Sequence, residues 1–358
     1  MSQILDGVDY WKWEYGQRVG NPVWIDRVHP LVLKTDAASL IDISGPEAAR
    51  EKRQGLIDLV WRGRGLPMEH FPDEIIKGVG DPEFADLDNL RRIDQLVVRM
   101  PHGVISRNYL FLAERGIGQT VIYHQGHFGH FALGKPTINA FLEAGYDVVG
   151  MSMPMLGPNS GPTNNVPRFG YIEYKNHNLF NFFQTANFNP LSYFVEPIVA
   201  VVNHLRATTA TCSIATGISG GGWLVTLAAA MDQRICRTYP VAGSLPAYVR
   251  LAPPNVPNIG DYEEMRPELL AIANVLEIYV LAATGEDRAH IMIYNQFDDC
   301  CYRGTGALTF RDPVRQAVDR AGGGYADVIM DSTHVGHLIS PFATALILDD
   351  LRKAGFGR

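Results

Sequence analysis

The chain has 358 residues, of which 46% are hydrophobic and 19% charged, a composition typical of a globular protein with a large buried core. With 38 acidic against 31 basic residues the net charge is -7, and a surface of that sign repels nucleic acid and anionic membranes, so neither is expected as a partner. The sequence has no apolar run of the roughly 18 residues that predict a transmembrane helix, and its first residues show no signal-peptide pattern.

Residues 1–92 predict an N-terminal extension that packs on the core, with one helix at 46–63 followed by a polar link. From residue 93 onward, strand and helix patterns alternate along the chain. The predicted strands lie at 93–100, 105–114, 120–125, 146–153, 212–217, 237–243, 290–295 and 325–330. The predicted helices lie at 137–145, 195–205, 222–231, 312–322 and 341–355.

This alternation predicts an α/β domain over residues 93–358, with a mostly parallel central sheet covered by helices on both faces. Two stretches, at about 156–194 and 244–288, interrupt the alternation and are interpreted as cap-like insertions. In sheets of this kind, catalytic residues gather in the loops that follow the carboxyl ends of the strands. Candidate residues are therefore sought directly after each predicted strand.

Ser219 stands between a predicted strand and a predicted helix, and Gly217 and Gly221 flank it in the pattern G-x-S-x-G. In this setting the pattern is typical of a nucleophile elbow, a turn so tight that side chains beside the serine would collide with the strand and the helix. The helix that follows directs backbone N–H groups towards an attacked carbonyl. The bare pattern also occurs in turns with an idle serine, but its position favours Ser219 as a catalytic nucleophile.

A serine nucleophile needs a histidine base and an acid, and in elbow enzymes the acid follows the serine and precedes the histidine. Asp298 and Asp299 come after one predicted strand, and His334 and His337 come after the last one. We expect Asp298 to be the acid because it is the first carboxylate past its strand, with Asp299 as the alternative. We expect His337 to be the base because it lies nearer the start of the last helix, with His334 as the alternative.

The loop after the strand at 120–125 is the expected source of a second donor for the oxyanion. Gly126 in that loop permits a close approach of the backbone, and the backbone N–H of His127 is the candidate donor. The other donor is the backbone N–H of Gly220, which directly follows the nucleophile.

With these residues the sequence resembles the α/β-hydrolase fold superfamily, and within it the esterase-like bacterial branch near acetyl-xylan-esterase-like hydrolases. The resemblance covers roughly residues 93–356 and rests on HQGH, GISGGGW, RTYPVAGSLP, NQFDDCC and HVGHLIS, with LVWRGRGLP in the N-terminal region. It implies a serine hydrolase that cleaves a carboxylic ester by a Ser-His-Asp triad through an acyl-enzyme intermediate. The fold also carries acyltransferases, peptidases and catalytically silent binding proteins, so these alternatives stay open. The oxyanion loop reads His-Gln-Gly-His instead of the commoner His-Gly, which leaves its donor open.

Three histidines spaced by three, namely His124, His127 and His130, raise the alternative of a metal hydrolase. They lack a recognised metal-ligand motif, and side chains of a strand-end loop point in different directions, so we expect no metal ion and no other cofactor. A stretch beginning at Gly129 resembles a phosphate-binding loop, but Pro136 replaces the Ser or Thr that would bind magnesium.

The four cysteines, Cys212, Cys236, Cys300 and Cys301, are too few for a disulfide scaffold. We interpret the adjacent pair, Cys300 and Cys301, as small buried thiols beside the acid loop, with a vicinal disulfide as the alternative. The absence of a signal-peptide pattern and this cysteine usage together predict a cytoplasmic protein, unless a leader has been trimmed from the sequence.

The first insertion is rich in Phe, Tyr and Asn in its second half. We expect residues 169–194 to contribute to a lid or wall over Ser219, with Tyr171 and Phe183 contacting the substrate. Aromatic rings with amides suit a sugar or aryl ester, so the expected partner is a small-molecule or saccharide ester. The alternative is a loop whose aromatic side chains pack on one another. The sequence does not predict the oligomeric state.

Overall fold

The structure is a computed structural model that describes residues 24–159, 163–166, 168–173, 176–208, 212–255 and 260–357. Residues 1–23 of the predicted N-terminal extension lie outside the described residues. The strands in chain order are β1 (Glu74–Lys77), β2 (Leu90–Arg99), β3 (Ile105–Ala113), β4 (Thr120–His124), β5 (Asp147–Met151), β6 (Thr163–Val166), β7 (Gly170–Glu173), β8 (Ser213–Ile218), β9 (Ile235–Val241), β10 (Ala289–Asn295) and β11 (Tyr325–Asp331).

Helices precede, connect and follow these strands. They are α1 (Pro30–Leu33), α2 (Pro46–Trp61), α3 (Lys135–Glu143), α4 (Ser192–Thr208), α5 (Gly220–Met231), α6 (Ala247–Arg250), α7 (Pro267–Ile272), α8 (Val275–Ala283), α9 (Arg311–Arg320) and α10 (Pro341–Lys353). Each strand and helix predicted from the sequence is present, which confirms the α/β fold class. Three strands, β1, β6 and β7, were not predicted. The four residues of β1 are all exposed and show no alternation, and β6 and β7 lie in the first insertion.

Nine strands form one sheet in the order β1-β2-β3-β5-β4-β8-β9-β10-β11, and β6 pairs separately with β7. The six strands β5, β4, β8, β9, β10 and β11, in their order across the sheet, pair in parallel. The pairs β1–β2, β2–β3 and β3–β5 are antiparallel. The sheet is therefore mostly parallel, as predicted. The parallel pairing sets the carboxyl ends of β4, β8, β10 and β11 along one edge, where their following loops meet.

The helix that follows the glycine-flanked serine, α5, lies at the centre of the core, and all of its residues are buried. Helix α2, from the region before residue 93, contacts α5. Its buried Arg53 donates hydrogen bonds to the carbonyl oxygens of Ala230 (3.3 Å) and Leu281 (3.0 Å). These oxygens lie in the last turns of α5 and α8, where helical carbonyls have no donor within their own helix. One side chain of α2 thus supplies donors to the ends of two core helices.

The second half of the first insertion packs on itself and on its surroundings. Phe180 is fully buried, and its ring contacts those of Phe183, Tyr193 and Phe194, with Tyr262 of the second insertion beside them. This aromatic cluster joins the two insertions to the start of α4. It matches the alternative in which the aromatic residues form a small core of their own.

All four cysteines are disulfide-bonded, Cys212 to Cys236 and Cys300 to Cys301. The interpretation of Cys300 and Cys301 as free thiols is therefore wrong, and the vicinal disulfide is the correct alternative. Disulfides are commonest in oxidising compartments, and the cytoplasmic location stays a prediction. Within the described ranges, none of the helices combines the length and the apolar composition needed to cross a membrane.

Candidate active site

Ser219 occupies the turn between β8 and α5 in a conformation that residues with side chains rarely adopt. Its backbone angles are φ 57° and ψ -132°, and such a strained residue costs about 1–3 kcal/mol. A Cβ on Gly217 would lie 2.7 Å from the backbone of Gly221, and one on Gly221 would lie 2.2 Å from the carbonyl oxygen of His124. Only glycine fits at both positions, so the chain has the tight turn that the G-x-S-x-G pattern predicts.

Asp298 and His337 form a buried pair at the ends of two neighbouring strands. Asp298 follows β10 and His337 follows β11, and His337 Nδ1 lies 2.7 Å from Asp298 Oδ2. The other oxygen, Oδ1, accepts the backbone N–H groups of Cys300 (2.8 Å) and Cys301 (3.0 Å). Burial raises the pKa of Asp298, but His337 and these N–H groups outweigh it and leave the pKa below its usual value. The carboxylate is therefore ionised and held on both oxygens.

The remaining ring nitrogen of His337 is available for a further partner. His337 Nε2 is buried and has no hydrogen-bond partner among the residues that the structure describes. Because Nδ1 faces a carboxylate, the neutral ring carries its proton on Nδ1 and leaves the Nε2 lone pair free. An imidazole in this tautomer is suited to accept a proton from a hydroxyl group.

Asn295 is a positioning residue that the sequence analysis missed. It is the last residue of β10, it is fully buried, and its Nδ2 lies 3.4 Å from the carbonyl oxygen of Gly336 and 3.0 Å from that of Leu338. These two residues flank His337, so the hydrogen bonds of Asn295 fix the backbone on both sides of the histidine. The only sequence signal was a polar residue at the end of an otherwise apolar strand.

The alternative acid and base lie in other surroundings. Asp299 is exposed, whereas Asp298 is fully buried. His334 accepts the backbone N–H of Gly336 at Nδ1 (3.1 Å), and its Nε2 lies 3.4 Å from Oδ2 of the buried Asp331. The structure therefore brings Asp298 together with His337 and sets His334 beside a different carboxylate.

The loop after β4 runs directly against the elbow. In the sheet His124 pairs with Gly217, and a Cβ on Gly126 would lie 2.6 Å from Cβ of Ser219. A Cβ on Gly220 would lie 2.8 Å from Nδ1 of His127, so the His127 ring covers the first turn of α5. As the first residue of that helix, Gly220 has a backbone N–H without an intrahelical acceptor. The two predicted oxyanion donors are thus neighbours in space.

His127 faces acidic side chains on its other edge. Its Nε2 lies 2.9 Å from Oε1 of Glu263 and 3.4 Å from Oδ2 of Asp261. Burial lowers the pKa of His127, but the carboxylate of Glu263 more than reverses this and raises the pKa to about 9. The pKa of Glu263 is correspondingly well below its usual value, despite complete burial. The sequence analysis missed Glu263, because a single carboxylate inside an insertion gives no local signal.

The other two histidines of the predicted trio have partners of their own. His124 is buried, with Nδ1 at 2.9 Å from the carbonyl oxygen of Gln125, and burial lowers its pKa to about 4. His130 Nδ1 accepts the backbone N–H of Ala132 at 2.9 Å. The three histidines at and after the end of β4 therefore do not share one ligand site.

The two predicted substrate contacts differ in accessibility. Phe183 is only 1% exposed and packs on the rings of His102 and Tyr193. It belongs to the aromatic core of the insertion, so its assignment as a substrate contact is corrected. Tyr171, on β7, is 78% exposed, and its contact with substrate stays a prediction.

Solved structures with this architecture include several esterases. An acetyl xylan esterase from Paenibacillus sp. R4 matches with a TM-score of 0.57 at 12% identity, covering 89% of this chain and 98% of that one. Acetyl xylan esterase 1 from Thermoanaerobacterium sp. JW/SL YS485 matches with a TM-score of 0.56 at 14% identity, covering 89% and 97%. A putative acetyl xylan esterase from Bacteroides fragilis NCTC 9343 matches at 0.55 and 14%, covering 81% and 77%.

No family model and no curated protein matches the sequence. At these identities the structural likeness establishes the fold and nothing further. The chain has the α/β-hydrolase fold, as the sequence resemblance predicted.

Proposed function

We propose that this chain is a serine hydrolase that cleaves a carboxylic ester through an acyl-enzyme intermediate. The observation that carries the proposal is the backbone conformation of Ser219, a strained turn that persists only where the surrounding structure enforces it. The buried pair of Asp298 and His337 supports it, because the ring nitrogen facing away from the carboxylate has no other partner among the described residues. Ser219, His337 and Asp298 are the proposed triad.

In acylation, Ser219 Oγ attacks the ester carbonyl while its proton passes to Nε2 of His337. Asp298 stays ionised and stabilises the imidazolium through the Nδ1–H bond. As the tetrahedral intermediate collapses, His337 gives the proton to the leaving alkoxide, which departs as the alcohol. Water then attacks the acyl-serine with the same base, releasing the acid and restoring the Ser219 hydroxyl.

The negative charge that forms on the carbonyl oxygen needs donors already in place. The proposed donors are the backbone N–H groups of Gly220 and His127. The absence of a side chain at Gly126 supports this assignment, because it lets the loop after β4 approach within contact distance of Ser219.

The proposed substrate is an ester of a small molecule or a saccharide. The similar structures named as acetyl xylan esterases support a short acyl group, although they share only the fold with this chain. The exposed Tyr171 offers an aromatic face of the kind on which sugar and aryl rings stack.

Covalent labelling tests the proposal directly. A fluorophosphonate probe is expected to add once, at Ser219, and Ser219→Ala is expected to lower kcat on acetyl esters by about 10⁴-fold or more. Ser213→Ala, at a serine on the preceding strand β8, is the matched control and should keep both labelling and turnover. An unlabelled wild-type protein together with an active Ser219→Ala variant would refute the proposal.

A further inference from the structure

Three side chains from separate parts of the chain converge beside the elbow. They are His127 from the loop after β4, His177 from the first insertion and Glu263 from the second, here called the His–His–Glu cluster. His127 Nε2 lies 2.9 Å from Glu263 Oε1, and His177 Nδ1 lies 3.4 Å from Glu263 Oε2. One ligand atom from each residue lies within 4.8 Å of the other two.

Most polar side-chain atoms at the centre of this cluster are buried without a hydrogen bond of acceptable geometry. Glu263 is fully buried, His177 is 7% exposed, and four atoms have no hydrogen-bond partner within the described ranges: His127 Nε2, His177 Nδ1 and both carboxylate oxygens of Glu263. A buried polar group without a partner is strongly disfavoured, and a charged group more so. Four such atoms facing one another indicate an occupant that satisfies them together.

The tautomer of His177 shows what kind of occupant fits. Its Nε2 lies 2.9 Å from the carbonyl oxygen of Pro154, and a carbonyl only accepts hydrogen bonds, so Nε2 carries the proton. Nδ1 of the neutral ring is then a lone pair aimed at a carboxylate oxygen of Glu263. Two acceptors in contact repel each other, and a cation between them removes the repulsion. Metal-bound histidines commonly donate their second ring N–H to a backbone carbonyl in this way.

We propose that the His–His–Glu cluster is a binding site for a divalent transition metal, with zinc as the metal that suits its ligands best. Two imidazole nitrogens and a carboxylate form a common zinc ligand set. Tetrahedral zinc with bonds of about 2.0–2.1 Å keeps its ligand atoms about 3.3 Å apart. The two histidine nitrogens lie 2.9 Å and 3.4 Å from the separate oxygens of Glu263, and one ligand atom from each residue lies within 4.8 Å of the others. Oδ2 of the more exposed Asp261 lies 3.4 Å from His127 Nε2 and is within reach as a fourth ligand.

This metal has a positioning role and takes no part in bond making or breaking. It joins the oxyanion loop to both insertions through one ion, and it fixes the ring of His127 against Gly220. The site stands on ligand geometry alone, so it does not depend on the proposed esterase activity.

Metal titration of the purified chain tests the inference. The protein is stripped with a chelator, dialysed and titrated with Co²⁺ and Zn²⁺, with the visible absorption of tetrahedral Co²⁺ and elemental analysis as readouts. We expect one metal per chain, the absorption bands of a tetrahedral nitrogen–oxygen site, and a melting temperature that zinc raises by several degrees.

Variants locate the site. Glu263→Gln and His177→Gln should each weaken zinc binding by at least about 100-fold, because even outer-shell partners of a metal contribute about 10–100-fold. His130→Gln, in the same loop as His127 but bonded elsewhere, is the matched control and should bind zinc normally. If Glu263→Gln does not fold, the wild-type Co²⁺ spectrum and His177→Gln still decide the question.

Two results would overturn the inference. One is a stripped wild-type chain that takes up no stoichiometric zinc or cobalt, which would mean that the cluster is a protonated histidine–glutamate pair. The other is uptake that Glu263→Gln and His177→Gln leave unchanged. Ser219→Ala should bind zinc as the wild type does. A wild-type protein that binds zinc but neither hydrolyses esters nor is labelled at Ser219 would refute the esterase proposal and keep the metal site.

Discussion

Replacing Asp298 by Asn tests the proposed triad through a single proton. The Asn side chain fits the same space, and its oxygen still accepts the two backbone N–H groups of Cys300 and Cys301 that Asp298 Oδ1 accepts now. The opposite orientation would set an NH₂ against two donors and lose both bonds, at about 1–3 kcal/mol each. The NH₂ of the introduced amide is therefore directed at Nδ1 of His337.

That orientation reverses the tautomer of His337. A donor facing Nδ1 requires a lone pair there, so the ring proton moves to Nε2, which then cannot accept the proton of Ser219. In the serine proteases this loss lowers kcat by about 10⁴-fold, which corresponds to about 5.4 kcal/mol of transition-state free energy. We expect Asp298→Asn to show a loss of this size in kcat with little change in KM, because the substrate contacts are untouched.

Steady-state kinetics on an acetyl ester and thermal unfolding of the same samples provide the assay. Asp299→Asn, one residue further along and exposed, is the matched control and should retain nearly full activity. The reasoning is refuted if Asp298→Asn keeps more than about a tenth of the wild-type kcat, or if Asp299→Asn is the more damaging change. A large fall in melting temperature for Asp298→Asn would also show that the variant had lost structure as well as the tautomer.

Three further predictions follow from the positions of single side chains. His337→Ala should abolish turnover in steady-state assays while His334→Ala retains a large part of it, and the reverse ranking would move the base to His334. Phe183→Ala should destabilise the protein by about 3–5 kcal/mol in urea unfolding, because it opens a cavity in the aromatic core. Tyr171→Ala should instead change the ranking of ester substrates at an unchanged melting temperature. Equal effects of the two variants on stability and on substrate ranking would contradict this prediction. Burial and the neighbouring Arg288 lower the pKa of His290 in the folded protein to about 3. As the pH falls, His290 is therefore protonated in the unfolded chain before it is protonated in the folded protein. The free energy of unfolding then decreases below the unfolded-state pKa of about 6.5, by about 1.4 kcal/mol per pH unit. His290→Gln should therefore lose about 2 kcal/mol less than the wild type between about pH 7.5 and pH 5 in urea unfolding, and an unchanged pH dependence would refute the assignment.

The parts of the site that the sequence predicted are those with local signals. The elbow is a short pattern whose glycines are each required by contacts within a few ångströms, so strand, turn and helix can be recognised together. The acid and the base were each narrowed to two candidates, Asp298 or Asp299 and His337 or His334, because residues after strand ends collect at one edge of a parallel sheet. The choice within each pair depends on which side chain turns inward, and only the structure provides that.

The parts that the sequence did not predict depend on contacts between distant segments. His177 and Glu263 lie in two different insertions, and nothing near either residue indicates that they meet at His127. The regular spacing instead indicated His124 and His130 as partners of His127, because spacing is visible in a sequence and convergence in space is not.

Burial and pairing were misjudged for a related reason. Aromatic composition alone does not separate a substrate wall from a self-packed loop, and Phe183 proved to be 1% exposed. The bond between Cys212 and Cys236 was within reach of the strand prediction, since the two cysteines lie at the start of the neighbouring parallel strands β8 and β9. The number of cysteines alone does not indicate this bond, because it carries no information on which strands are neighbours.

The contact that Arg53 makes has a consequence for any attempt to shorten this protein. Its two hydrogen bonds complete the carboxyl ends of α5 and α8, and α5 begins at the nucleophile turn. A chain started at residue 93 would contain every proposed catalytic group, yet the buried carbonyl oxygen of Ala230 would lose its Arg53 donor, and that of Leu281 would keep only Arg288 Nη1 at 3.1 Å. We therefore expect a fragment that starts at residue 93 to be less stable than one that keeps α2.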